Sequence, residues 1–504
     1  MRKSFLIKLV IFLCFCVLAP VQTLNAQQTF IKEINYNNLW DLSRTVVALD
    51  STYICFNSVV DFNLDMGHLG ANVFDANGDL LHVKTTTILP DYSFTAYSKL
   101  KLSDSLIIIS GEVATNDSVV AWPFHYAFNH LGDSLWFKTY KYGHGNEGFE
   151  KVILAQDGNL LAAGYATVDS FISTPFPTGD TLQAMLQKVD LQGNVIWEHV
   201  YPLLNNGELP VGLVELPDGN IEMLIYTSVN NRTNQMLWRL DSLGNIKWQR
   251  DLDFTNYIYP HDMLLANDGN LVLCGTSKGS FSSVTTSYVM KVDTAGNTIW
   301  RKFFGNVNNY DQFEKIRELP NGDLVAAGTS YRNSGLAQSP DGWLIKLNSQ
   351  GDTIWERHFN ADGNFENYED DYVWDLDLCK DGGFIMAGMV TRPNTTNSNA
   401  WVIKVDSNGN YDLTSDINNN FLATNTALRL YPNPVANLLN IEIERSNVNY
   451  PIEVSIYNSL GGNVSTITLQ SNAEAIDVAK YSSGLYFVEL QLNGRPTYAK
   501  FVKN

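Results

Sequence analysis

One short pattern recurs along this chain and limits its possible folds more than any other feature. In full form it is a basic residue, an apolar residue, Asp or Asn, two residues, Gly, Asn or Asp, two residues and Trp. It reads Lys188-Val189-Asp190, Gly193-Asn194, Trp197, and again Arg239-Leu240-Asp241, Gly244-Asn245, Trp248. It returns as Lys291-Val292-Asp293, Gly296-Asn297, Trp300 and as Lys346-Leu347-Asn348, Gly351-Asp352, Trp355. Weaker copies run from Gly78-Asp79 to His82, from Gly132-Asp133 to Trp136 and from Gly409-Asn410 to Leu413. The seven glycines are spaced 51 to 61 residues apart. A second pattern interleaves with the first: Asp157-Gly158-Asn159 running to Gly164, Asp218-Gly219-Asn220, and Asp268-Gly269-Asn270 running to Gly275. Asn321-Gly322-Asp323 to Gly328 and Asp381-Gly382-Gly383 to Gly388 continue it. Asp50-Ser51 and Asp104-Ser105 stand in its place in the first two units.

A fixed period of this length signals a repeat architecture. Asp-Gly and Gly-Asn between alternating apolar residues are hairpin turns, so each unit resolves into four short strands. In the fifth unit the strands are expected at Met263–Ala266, Leu271–Thr276, Tyr288–Val292 and Thr298–Phe304. One four-stranded sheet cannot bury both its faces, so the units must stack and the ring must close. The expected fold is all-β: a seven-bladed β-propeller of four-stranded blades over residues 27–413. A linker at 414–427 and a small C-terminal Ig-like β-sandwich at 428–504 follow. The recurring Trp is expected to pack between blades. The last unit has Leu413 in place of Trp, and Phe30–Ile34 precedes the first full unit. That segment is expected to pair with Trp401–Val405 and close the ring.

The repeats resemble the secreted bacterial propeller repeats whose blades carry an Asp-x-x-Gly-x-x-x-Trp docking motif, as quinoprotein-like propellers also do. A quinone-dependent dehydrogenase is disfavoured, because that resemblance would imply eight blades and adjacent cysteines. The mature chain keeps only the widely spaced Cys55, Cys274 and Cys379, which read as small buried hydrophobes. Tight turns gather on one face of such a ring and long, variable loops on the other, where function more often sits. On that face Tyr142, His144, Tyr257, Tyr259, Tyr310, Tyr368, Asp370 and Asp371 are the candidate ligand-binding residues at the channel mouth. Aromatic faces beside carboxylates suit a sugar, a cation or a protein.

The two ends are addresses. Arg2, Lys3 and Lys8 precede an apolar run, Leu9–Ala19, and Ala26 offers a small residue for cleavage before Gln27, so residues 1–26 read as a signal peptide. The run is too short to span a bilayer, and no other stretch reaches that length. Near the other end stand Tyr431-Pro432-Asn433-Pro434, Gly484-Leu485-Tyr486 and a basic-apolar final strand with Lys500. These motifs resemble the type A C-terminal sorting domain of the type IX secretion system of the Bacteroidota. The resemblance implies passage through the periplasm, release or display at the outer cell surface, and the type IX machinery as a partner.

Charge narrows the rest. Acidic residues number 53 against 34 basic, a net charge of -19 that becomes -22 when Arg2, Lys3 and Lys8 leave. Nucleic acid is excluded as a partner, since phosphate binding needs clustered Lys and Arg. No nucleophile elbow, zinc-binding His pair or phosphate loop is present, and no cofactor, metal or catalytic residue is expected. His199 and His358 fall in fourth strands and read as repeat positions. Asp406, Asn408, Asn410 and Asp412 read as a hairpin turn rather than a calcium loop. The expected function is non-catalytic binding of an extracellular glycan or protein; the alternative is a propeller-based polysaccharide hydrolase or lyase.

Overall fold

The structure is a computed structural model. It describes residues 27–34, 40–61, 66–85, 92–115, 120–142, 146–167, 182–202, 207–229, 232–252, 257–278, 285–305, 310–334, 337–361, 370–392, 398–411, 429–443, 450–458, 463–492 and 495–504. The expected leader at 1–26 and linker at 414–427 lie outside the described residues, which contain strands and turns but no helix.

Seven four-stranded antiparallel sheets lie between Phe30 and Val405 among the described residues. The first strands of the sheets are Trp40–Ala48, Tyr92–Ser103, Gly148–Leu154, Glu208–Glu215, Tyr257–Leu265, Gln312–Glu318 and Asp370–Leu378. Each touches the first strand of the next sheet, and the seventh touches the first. The arrangement is a closed, propeller-like ring with these strands innermost. Apolar side chains fill the space between neighbouring sheets: Leu213, Met223 and Trp238 of the fourth sheet share a core with Leu161 and Leu186 of the third.

Closure follows the expected route. Phe30–Ile34 is the outer strand of the seventh sheet, with Phe30 opposite Lys404 and Glu33 opposite Trp401. This register places Phe30 where five of the other sheets have Trp and the first has His82. Trp197 stands opposite Lys188, Trp248 opposite Arg239, Trp300 opposite Lys291 and Trp355 opposite Lys346. The recurring glycine explains the pairing of the two motifs. Gly351 has φ +80°, and a Cβ there would lie 2.7 Å from the Trp300 ring of the preceding sheet. Gly78 has φ +81° and receives Phe30 in the same way, at 2.5 Å. The glycine thus supplies both the left-handed turn and the seat for its neighbour's ring.

The polar letters of the repeat have equally local causes. Asp190 Oδ1 accepts the N–H groups of Gln192 and Asn194 at 2.9 and 2.8 Å, fixing the turn. Asp406 does the same for Asn408 and Asn410, so that stretch is a turn like the others. The basic residue reaches back to the acid of the second pattern in its own sheet: Lys188 to Asp157 and Lys291 to Asp268, both at 2.6 Å, and Lys404 to Asp381 at 2.9 Å. His199 and His358 do not occupy one repeat position: the first stands two residues after Trp197, the second three after Trp355. Cys55, Cys274 and Cys379 are buried and unbridged.

The C-terminal module has two antiparallel sheets. One holds Arg429–Tyr431, Leu438–Glu442 and Ala473–Asp477; the other holds Asn463–Leu469, Ile452–Asn458, Gly484–Leu492 and Arg495–Lys503. Leu439, Ile441, Val454, Ile456, Val488 and Phe501 are buried in one core.

Candidate functional site

Every inner strand carries a one-residue bulge at the same place. The extra residues are Arg44, Tyr97, Glu150, Val211, His261, Glu314 and Trp374 in ring order. A bulge re-aims a side chain and is frequent beside functional sites. Here it gathers these residues around the centre of the ring. The Arg44 guanidinium lies 4.8 Å from the Trp374 ring centroid and 5.8 Å from that of Tyr97. His261 Nδ1 lies 3.2 Å from Glu314 Oε2.

In three sheets the residue after the bulge fastens adjacent inner strands. Ser98 Oγ accepts the Val152 N–H at 3.0 Å, Asp262 Oδ2 the Ile316 N–H at 3.1 Å, and Asp375 Oδ2 the Val46 N–H at 2.9 Å. Cations complete these links. Lys99 Nζ is 2.6 Å from Asp375 and also donates to the Val46 carbonyl, bridging the seam where the seventh sheet meets the first. Asp262 receives both Lys151 and, at 2.9 Å, Arg317. Burial opposes its ionisation, but the Lys151 and Arg317 charges override this and hold its carboxyl well below the usual range.

Around this frame sit groups with altered proton affinity. Glu150 is pushed up to about 7, first by burial and then by the Glu112 charge, against the pull of Lys315, Arg44 and His261. Burial lowers the His261 imidazole, but the adjacent Glu314 carboxylate outweighs it and the net direction is upward. Glu112 is held by two phenols, Tyr97 at 2.7 Å and Tyr165 at 2.6 Å. The centre of the ring is therefore a mixed-charge, aromatic-walled site with carboxylates, a paired imidazole and five cations.

An aromatic path leads to it. Tyr310 is 40% exposed, and its ring centroid lies 5.4 Å from that of Tyr331. The Tyr331 and Tyr372 hydroxyls are 3.1 Å apart, Tyr372 stacks on Trp374 at 6.2 Å, and Trp374 meets Arg44. The charge of Asp370 acts on both Tyr331 and Tyr372. Of the candidates read from sequence, Tyr310 and Asp370 are thus brought together.

The other candidates lie elsewhere. Tyr257 and Tyr259 belong to the fifth inner strand, opposite Lys278 and Thr276, and Tyr259 stacks on Tyr226 at 5.8 Å. Tyr142 receives a hydrogen bond from the Gln187 amide, and Asp371 is buried, accepting the Ala361 N–H at 3.2 Å. His144 and Tyr368 lie outside the described residues. Tyr257–His261 and Asp370–Tyr372, expected among the long loops of the variable face, are already strand.

Arg44, Tyr97, Glu112, Glu150, Glu314 and Trp374 escaped the sequence reading, yet a signal for their strands was present. The glycine closing the second pattern stands opposite the residue just before the bulge: Gly164 opposite Phe149, Gly275 opposite Pro260, Gly328 opposite Phe313, Gly388 opposite Val373. A Cβ at Gly388 would lie 1.6 Å from the Tyr372 carbonyl oxygen, and at Gly164 1.9 Å from that of Gly148. A strand-interior glycine marks such a close backbone approach.

In the C-terminal module the motif residues meet one another. Asn433 Nδ2 donates to the Lys500 carbonyl at 3.1 Å, and Asn433 Oδ1 accepts the Val502 N–H at 2.8 Å. The segment Tyr431-Pro432-Asn433-Pro434 is therefore tied to the final strand, with exposed Tyr431 and Lys500 beside the junction. Gly484 pairs with Lys503 and Leu485 with Val502. Tyr486 stacks on Phe501 at 5.3 Å and donates to the Ser482 carbonyl at 2.9 Å.

Comparison with known proteins agrees with this division. Residues 429–504 match the family model of the secretion system C-terminal sorting domain. The chain carries that domain and is secreted or displayed on the outer cell surface. Residues 169–312 match the arylsulfotransferase family model. No curated protein matches the chain. Among solved structures, similarity extends to acylaminoacyl peptidase of Pyrococcus horikoshii, with 12% identity, a TM-score of 0.43 and coverage of 82% of this chain and 59% of that one. It also extends to the β-propeller domain of the trilobed protease of Pyrococcus furiosus, with 9% identity, a TM-score of 0.41 and coverage of 76% and 98%. PorZ, a surface component of the type IX secretion system of Porphyromonas gingivalis, matches at 7% identity and a TM-score of 0.26, covering 94% of this chain and all of that one. These structural likenesses are too distant to carry an argument about activity. No helix among the described residues is long and apolar enough to cross a membrane.

Proposed function

We propose that this chain is a non-catalytic extracellular binder: a seven-bladed β-propeller at 27–413 that takes up a glycan through one mouth of its central channel. A linker at 414–427 joins it to an Ig-like sorting sandwich at 428–504, with the type IX machinery of a Bacteroidota cell as the export partner. The observation that carries the reading is the aromatic path Tyr310–Tyr331–Tyr372–Trp374, running from an exposed ring to the polar centre. Sugar rings present C–H faces to aromatic planes and hydroxyls to charged side chains, and this path offers both in sequence. The mouth candidate Asp370 stands beside this path, its charge acting on Tyr331 and Tyr372. The test is a glycan array probed with the purified chain, then titration of the hits against Tyr310→Ala and Tyr372→Ala. At least tenfold weaker binding in each variant is expected. Failure to bind any glycan, or unchanged affinity in both variants, overturns the proposal.

A second reading is an enzyme. Two observations favour it: the arylsulfotransferase match covers the inner strand bearing His261, and Glu150 sits beside Glu112 with raised proton affinity. Sulfate transfer from an aryl sulfate to a phenol by the wild-type chain, lost in His261→Ala, would establish that reading in place of binding.

A further inference from the structure

Two cations at the centre of the ring, Arg44 and Lys315, form no ion pair among the described residues. Lys99 is paired with Asp375, while Lys151 and Arg317 are paired with Asp262. Among the described residues, no carboxylate lies within ion-pair distance of Arg44 or Lys315. The Arg44 Nε is buried and has no hydrogen-bond partner. Both cations act on the same two carboxyl groups, Glu150 and Glu314, so they converge on one region of the channel. Glu314 is already engaged with His261. Glu150 has its proton affinity raised, and when protonated it is a hydrogen-bond donor instead of a counter-ion.

An unpaired guanidinium in a low-dielectric site is costly unless an anion completes it. Its planar fork also suits the paired oxygens of a carboxylate or sulfate. Trp374 and Tyr97 lie against its faces, while its edge donor Nε is buried without a partner. The same contact argues against a cationic ligand, because the aromatic faces at this depth already hold a cation. We propose that Arg44 and Lys315 receive the carboxylate or sulfate group of an acidic glycan, which makes the channel selective for charged over neutral sugars. This rests on the glycan reading above.

The experiment is calorimetric titration of the full chain with two matched pairs. One is a sulfated galactan oligosaccharide and its desulfated form; the other is an oligogalacturonate and its methyl ester. At least a tenfold preference for the acidic member is expected in one pair, which also tells sulfate from carboxylate. Arg44→Gln and Lys315→Gln should each weaken acidic-glycan binding about tenfold and collapse that preference, with circular dichroism confirming the fold. Should Arg44→Gln not fold, Lys315→Gln carries the test alone. Equal affinity for acidic and neutral members, or a preference that survives the Lys315 variant, overturns this proposal alone. No binding of any of the four overturns this proposal, while the glycan array decides the glycan reading on its own.

Discussion

The rim and the hub of the ring are built by opposite rules. At the rim the same letters recur because each solves one local problem: Asp190 and Asp406 fix turns, Gly351 and Gly78 seat a ring, Lys188 and Lys404 pair with the neighbouring hairpin. At the hub the backbone repeats its bulge, but the seven bulged residues, Arg44 through Trp374, are of six kinds, only Glu occurring twice. Packing demands uniformity where sheet meets sheet. At the centre the bulged side chains meet one another, Arg44 with Tyr97 and Trp374 and His261 with Glu314, instead of a repeated seat, and their identities are left to chemistry. Repetition thus marks what holds the fold, and its failure marks where a ligand would be read.

The closing seam puts the rim to its strongest test. Phe30 is 2% exposed and does the work of the Trp that the seventh sheet lacks. Phe30→Ala should cost about 4 kcal/mol, the usual scale for a large aromatic lost from a core, whereas Phe30→Trp should be tolerated. Urea unfolding would measure both. If Phe30→Ala loses no more than an exposed substitution, the rim does not close the ring. At the hub, Asp262→Ala strands Lys151 and Arg317 and orphans the Ile316 N–H. About 3 kcal/mol of lost stability is expected, since breaking one side of a buried pair leaves uncompensated charge. A negligible loss would mean that the hub is held by its backbone alone.

These two layers were unequally legible. The rim declared itself because a turn with positive φ admits few residues, so glycine and Asp return at fixed spacing. Even the closing strand could be inferred, from Leu413 standing where Trp was due. The hub hid for two reasons. A bulge breaks the alternation by which a strand is recognised, so Tyr257-Ile258-Tyr259-Pro260 read as loop and the fifth inner strand was expected only from Met263. Proline is tolerated at such a bulge, which deepened the disguise. Moreover, comparing repeats discards residues that differ between them, and Arg44, Tyr97, Glu150 and Trp374 differ by nature of their task. The aromatic path was half visible: Tyr310 stood out near an expected loop, but its partner Tyr331 stands 21 residues on in sequence, at the far end of the second strand Leu324–Ser334.

The hub should also be the pH-sensitive layer. Glu150 in the fold is raised from the ordinary 4.5 to about 7. Between those values the folded chain keeps a proton that the unfolded chain has lost, so its contribution favours folding at low pH. That contribution is fully present below 4.5, declines as pH climbs and is exhausted above about 7. The full shift would be worth about 3 kcal/mol, and solvent in the channel reduces this to about 2 kcal/mol. Glu112, Lys315, Arg44 and His261 are the charges that face it. Glu150→Gln should flatten the fall in melting temperature between pH 5 and 7.5, and an unaltered profile would place the sensitivity elsewhere.

A rim ion pair supplies the contrasting case. Lys188 lies 2.6 Å from Asp157, but the Asp157 side chain is half in solvent. Water already stabilises that carboxylate, so the pair gains little from the fold and is screened by salt. Lys188→Met should therefore change stability by no more than about 0.5 kcal/mol. The lysine stem is buried beneath its charge, and methionine preserves that packing. The comparison is sharpest when this variant is measured beside Asp262→Ala in low and high salt. The rim loss should vanish as salt rises, while the hub loss, shielded from ions, persists. Equal salt dependence of the two would mean that the channel is as open to solvent as the outer hairpins, and the division between a structural rim and a chemical hub would fall.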